Sequence, residues 1–198
     1  MAVSVYAWSN PEVMNSWILD PYQMNRRGGQ WYRFLTSGFL HADWGHLIFN
    51  MLTFYSFGGI VLTSFGRELG SEAGILAFLA LYLGGIIVSD LPTYFRHRHD
   101  AGYRSLGASG GVASVLFAGI MFNPVGGVGM MFLPNVDIPG FIWGGLYLLY
   151  SYYMGRRQGD NINHDAHLYG ALFGVLLTAM LIPGILGHFG QQISRFRL

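Results

Sequence analysis

Five apolar runs, about 46–65, 73–94, 107–122, 141–154 and 166–186, alternate along the chain with short segments that hold most of its polar residues. A helix of about 20 apolar residues matches the ~30 Å hydrocarbon core of a bilayer. The pattern therefore predicts a membrane span for each run. Met1 to Trp8 is apolar too, but is too short to cross and lacks the basic start of a signal peptide. Either it is the remnant of a first span whose beginning lies outside this sequence, or the bundle has five complete helices.

The segments between the runs have distinct characters. Asn10 to Gln30 mixes Pro11, Pro21, Arg26 and Arg27 with Trp17 and Tyr22, which predicts a loop at the headgroup level, where arginines and aromatics sit. Arg67, Glu68 and Glu72 mark a short connection, and Arg96-His97-Arg98-His99-Asp100 a more charged one. Asn123-Pro124 closes the third run. From there to residue 140, Gly126-Gly127, Pro134 and Pro139 predict a long, flexible connection, and residues 155–165 form a polar loop.

Composition fixes the solvent. Of 198 residues 52% are hydrophobic and 11% charged, against about 25% charged in ordinary soluble domains. The fold class expected is all-α, a polytopic membrane helix bundle in a single domain over residues 1–198. The net charge of +1 gives no electrostatic case for nucleic acid. The absence of cysteine removes disulfides, thiolate nucleophiles and thiolate metal sites.

Polar groups near the ends of the runs carry the candidate chemistry. Ser109 is framed by Gly107, Ala108, Gly110 and Gly111 where a polar loop becomes an apolar helix. Free N–H groups and the positive dipole end at a helix start favour an anion beside it. Small residues there could equally serve close helix packing, and the soluble-hydrolase elbow of the form Gly-x-Ser-x-Gly would need a preceding strand. A serine needs a base and donors for its oxyanion. His167, at the start of the last run, is the candidate base. Gly170 and Gly174 follow it at i+3 and i+7, a stripe along which a second helix could approach. An interfacial role is the alternative for His167. His46 and Asn50 are four apart on one helix face, with Asn50 open either to chemistry or to bonding between helices. Asp165 lies two residues before His167 and cannot share its face, so the pattern favours a serine and histidine dyad over a triad.

Three motifs in order, His41-x4-His46-x3-Asn50, Gly107-Ala108-Ser109-Gly110 and Ala166-His167-x2-Gly170, resemble the signatures of the rhomboid intramembrane serine proteases. Trp31-Tyr32-Arg33 resembles the loop that family lays into one leaflet, and the likeness covers roughly residues 30–186. The resemblance implies a six-helix membrane bundle that cuts peptide bonds in or beside transmembrane segments of other proteins. It implies Ser109 as nucleophile and His167 as general base and acid. It also implies that His46 and Asn50, with the Ser109 N–H, hold the oxyanion, and that Gly107 helps position substrate. Its partners would be transmembrane protein substrates and the lipid bilayer of a prokaryotic cell membrane, with no nucleic acid, metal or cofactor.

The chain departs from the family pattern in places. Where many members carry a glutamate late in the second helix it has Gly58-Gly59-Ile60, and where many carry an aromatic four residues after the serine it has Ala113. The family orientation places eight arginines outside and three inside, against the usual positive-inside bias. The orientation is nevertheless retained, because the first outside loop is expected to be embedded. Rival readings are weaker. A metalloprotease would draw on His41, His46, His164 and His167, but the chain has no His-Glu-x-x-His, and a transporter would carry its charges at mid-span. A catalytically silent rhomboid-like binding module is the principal alternative.

Overall fold

The computed structural model describes residues 1–130, 133–157, 160 and 162–197, with side chains omitted for 129–130 and 133–137. Five apolar helices form the body: α5 (Trp44–Leu69), α6 (Ser71–His97), α7 (Ser109–Phe122), α8 (Gly140–Arg157) and α9 (His164–Leu181). Before them come four short helices, α1 (Ala2–Trp8), α2 (Pro11–Trp17), α3 (Pro21–Arg27) and α4 (Arg33–Thr36). The chain closes with α10 (Ile185–Arg195). It is an all-α polytopic membrane bundle.

Helix α7 is the hub. Every residue from Gly110 to Met121 is buried, and α5, α6, α8 and α9 pack around it. At 14 residues it rises only about 21 Å, short of the hydrocarbon thickness. A helix enclosed by others need not meet the lipid along its length. Helices α5 and α6, with 26 and 27 residues, are each long and apolar enough to cross, and leave Tyr55, Ile60, Ile75 and Leu76 exposed. Val61, Phe65, Ala77, Leu81, Val115 and Ala118 close the core between them and α7.

Several places differ from the sequence reading. Residues 10–30, expected as a loop, hold α2 and α3. The segment 123–140 is not a formless connection. β1 (Gly127–Met130) and β2 (Leu133–Pro139) pair antiparallel, Val128 opposite Ile138, with an irregularity after Gly129. Glycines and prolines weaken strands but are tolerated in so short a ribbon. The last run breaks at Leu181, because Pro183 cannot continue a helix and Gly184 takes a left-handed φ of 84°. The chain then turns 111° into α10. Met1–Trp8 is a helix that docks on the 39–44 segment.

Local sequence explains where the site-bearing helices begin. Asp43 caps α5, its Oδ1 accepting from His46 N at 2.8 Å, and Asn163 caps α9, accepting from Ala166 N at 3.1 Å. Helix α7 starts from Ala108, which offers no side-chain cap. Its first N–H groups are therefore left for another acceptor.

Candidate active site

The first turn of α7 and the second turn of α9 lie side by side at backbone distance. A Cβ placed on Gly170 would sit 2.8 Å from the Gly110 Cα, and one on Gly174 2.8 Å from the Ser114 Cα. Both are inside ordinary contact, so only glycine fits at either position. Ser114 Oγ lies 2.9 Å from Gly110 O and 2.8 Å from Gly170 O, its one proton shared between the two helices. On the opposite side, α6 meets the same turn, where a Cβ on Gly110 would lie 2.6 Å from the Ser89 Cβ.

This packing sets the places of the candidate pair. Ser109 is the first residue of α7, one before Gly110. His167 stands three residues before Gly170, in the first turn of α9. Both are half-buried. Among the hydrogen bonds of the described residues, none joins Ser109 Oγ to the His167 ring. Hydrogen bonds of catalytic groups are often loose before substrate binds.

Aromatic rings hold the His167 imidazole. Tyr147 of α8 lies nearly parallel to it, with 6.1 Å between centroids and 20° between planes. Trp143 stacks in turn on Tyr147 at 5.0 Å. Both pack on the cluster that includes Ala113, Leu116 and Phe117. An aromatic neighbour for the histidine thus comes from α8, and not from position 113. His164 meets His167 edge-on at 5.9 Å and binds both Asp160 oxygens at 3.1 Å. This bond holds the exposed Asp160 carboxyl below the usual range. Asp165 forms an ion pair with Arg96.

A third group comes from α5. The His46 ring occupies the space where a Gly107 side chain would be, its Nε2 2.9 Å from a Cβ built there. Gly107 can leave that space because its φ of 130° suits glycine alone. Its N–H donates to Ser37 O at 3.0 Å, which fixes the loop entering α7. Asn50 is buried one turn below and donates from Nδ2 to His46 O at 2.9 Å. Its described bond is within its own helix, not between helices. The structure therefore collects Ser109, Gly107 and His46 around the start of α7, with Asn50 beneath His46 and His167 on the adjoining helix.

Some contributors had no legible signal in the sequence. Tyr147 and Trp143 sit in a run of aromatics whose register against α9 is tertiary. Ser114 looked like one more small residue of an apolar helix. Ser4 lies far from any motif, yet it binds His41. The stripe of Gly170 and Gly174 signalled a close partner helix, and Ser114, four residues after Gly110, marks the matching face of α7.

Comparison with known proteins agrees with this architecture. The Rhomboid domain family model matches residues 28–184. RHOMBOID-like protein 12, mitochondrial, of Arabidopsis thaliana is 26% identical over 81% of this chain and 49% of its own length. Presenilin-associated rhomboid-like protein A, mitochondrial, of Danio rerio is 32% identical over 70% of this chain and 34% of its own. Rhomboid-like protein 11, chloroplastic, of Arabidopsis thaliana is 29% identical over 83% and 58%. The chain thus spans between a third and three-fifths of these relatives. The names of these three place them in mitochondria and a chloroplast, and a Bacillus subtilis protein, putative rhomboid protease YdcA, is 28% identical over 81% of this chain and 72% of its own.

Proposed function

Since this chain belongs to the rhomboid family, we propose that it is an intramembrane serine endopeptidase acting on peptide bonds in or beside transmembrane segments of membrane proteins. The observation that carries the reading is the backbone-distance packing of Gly110 against Gly170. It supports the reading because the first turn of the Ser109 helix packs on the His167 helix one turn after His167. In this reading Ser109 Oγ attacks the scissile carbonyl carbon while His167 takes the hydroxyl proton. The C–N bond then breaks, and His167 returns the proton to the leaving amine. Water repeats the sequence on the acyl-enzyme, with His167 as base and Ser109 as leaving group.

The oxyanion would be met by the Ser109 N–H, left uncapped at the start of α7, together with His46 and Asn50. Loss of one such donor costs about 10²–10³ in turnover in serine proteases. Gly107 contributes by having no side chain where His46 must lie. The substrate would be another membrane-spanning segment, whose helix must open before a carbonyl can approach Ser109, since intact helical carbonyls are already bonded.

The test is cleavage of a single-span substrate in proteoliposomes by the wild type, Ser109→Ala and His167→Ala, each checked for a cooperative thermal transition. Loss of cleavage in both variants, with the folds intact, is expected. Activity retained in Ser109→Ala would end the proposal. A folded, inactive wild type that still binds the substrate would favour the silent binding module.

A further inference from the structure

The short helix α1 is hydrogen-bonded to Phe39 and His41, in the segment whose next residue, Ala42, bonds His46. Ser4 is fully buried, and its hydroxyl has one proton. Phe39 O, 2.9 Å away, can only accept, so that proton goes to it. The 2.9 Å contact between Ser4 Oγ and His41 Nδ1 must then be one in which the ring N–H donates to Ser4. This places the His41 proton on Nδ1. Its Nε2 is buried and has no hydrogen-bond partner among the described residues. Burial and the neighbouring His46 push His41 down to about 4, so the ring is neutral near pH 7. Trp8 secures the same residue from the other end, its Nε1–H donating to His41 O at 2.7 Å, and packs edge-on against Trp44 at 4.8 Å.

His41 sits edge-to-face with His46 at 5.0 Å between centroids. The next residue, Ala42, points its backbone N–H at His46 Nδ1, 3.4 Å away. A backbone N–H can only donate, so Nδ1 must present a lone pair and the ring proton must be on Nε2. Nε2 is the nitrogen that faces Gly107 and the start of α7. An oxyanion needs a donor there. The other tautomer would offer it a lone pair.

We propose that α1 is a clamp on the His46 donor, with Ser4 and Trp8 as positioning residues that hold the 39–42 segment so that Ala42 N–H keeps the His46 proton on Nε2. The proposal rests on the protease reading for its consequence, but not for its geometry. The bond from Ala42 is long, so it depends on the segment being held. Releasing Ser4 or Trp8 lets that N–H drift and allows His46 to populate the Nδ1–H form.

The experiment is nitrogen NMR of ¹⁵N-histidine-labelled protein in micelles, assigned with His46→Gln, on the wild type, Ser4→Ala and Trp8→Phe. The wild type should show His46 as a single Nε2–H tautomer, and the two variants a mixture. In the cleavage assay both should lose roughly tenfold in kcat with KM unchanged, a part of the effect of deleting a donor. Trp8→Phe keeps the ring against Trp44 while removing the N–H, so it carries the test if Ser4→Ala does not fold. A wild-type His46 protonated at Nδ1, or unchanged tautomer and kcat in both variants, would overturn the proposal. The expected tautomers in a folded but inactive wild type would support the clamp and count against the protease reading alone.

Discussion

Replacing Gly170 by alanine puts the packing argument to its most direct test. The added Cβ would lie 2.8 Å from the Gly110 Cα and carbonyl carbon and closer still to its oxygen, all of them backbone. Carbon atoms prefer about 3.5–4.0 Å, so α9 has to retreat by roughly 1 Å. Gly110 cannot give way, because Ser89 presses on its other side. Overpacking of this kind costs about 1–3 kcal/mol, and a displacement near 1 Å between reacting groups can cost about 100-fold in rate. Gly170→Ala should therefore lower the thermal midpoint by several degrees and reduce kcat about 100-fold, with KM nearly unchanged. Gly59→Ala is the control, since a Cβ there meets nothing within 4 Å; stability should hold or rise and turnover stay the same. Thermal unfolding and proteoliposome cleavage of the three proteins, measured side by side, decide the matter. If Gly170→Ala matched the wild type in both, α7 and α9 would not meet at Gly110, and the site as described would be wrong.

Two further expectations follow from the surroundings of the site. Asp165 is tied to Arg96 and not to His167, so Asp165→Asn should leave kcat within about threefold, whereas loss of a triad aspartate costs about 10⁴; steady-state kinetics distinguishes the two. His41, neutral in the fold with its pKa lowered to about 4 from 6.5, takes up its proton more readily unfolded than folded. Stability therefore falls as the pH drops from 6.5 towards 4 and is level above that range. The gap in thermal midpoint between wild type and His41→Gln should narrow over that window, and a constant gap would remove His41 as the cause.

Single side chains explain how much could be read in advance. Hydropathy placed the starts of α5 and α9 within two residues, at 46 and 166, while the caps Asp43 and Asn163 that set them at Trp44 and His164 came to light only in the structure. Ser109 and His167 stood out because polar groups at the ends of apolar runs need a reason. The hairpin at 127–139 was missed because strands of four and seven residues in a glycine- and proline-rich stretch carry no clear alternation to detect. Ser4 and Tyr147 were missed for a different reason. Each contributes through one contact with a residue distant in sequence, and nothing local distinguishes a buried serine or a helix tyrosine from its neighbours.

The sequence by itself determined the solvent, the run of apolar helices and the serine and histidines that stand near their ends, because hydropathy and side-chain type are local properties. Only the tertiary structure decided which groups meet. The approach of α7 to α9 at Gly110 and Gly170, the turn of Tyr147 toward His167 and the chain from Ser4 through His41 to His46 are matters of helix register and proton position. Register between helices is set by the packing of whole faces. The proton of a histidine is set by what each nitrogen touches.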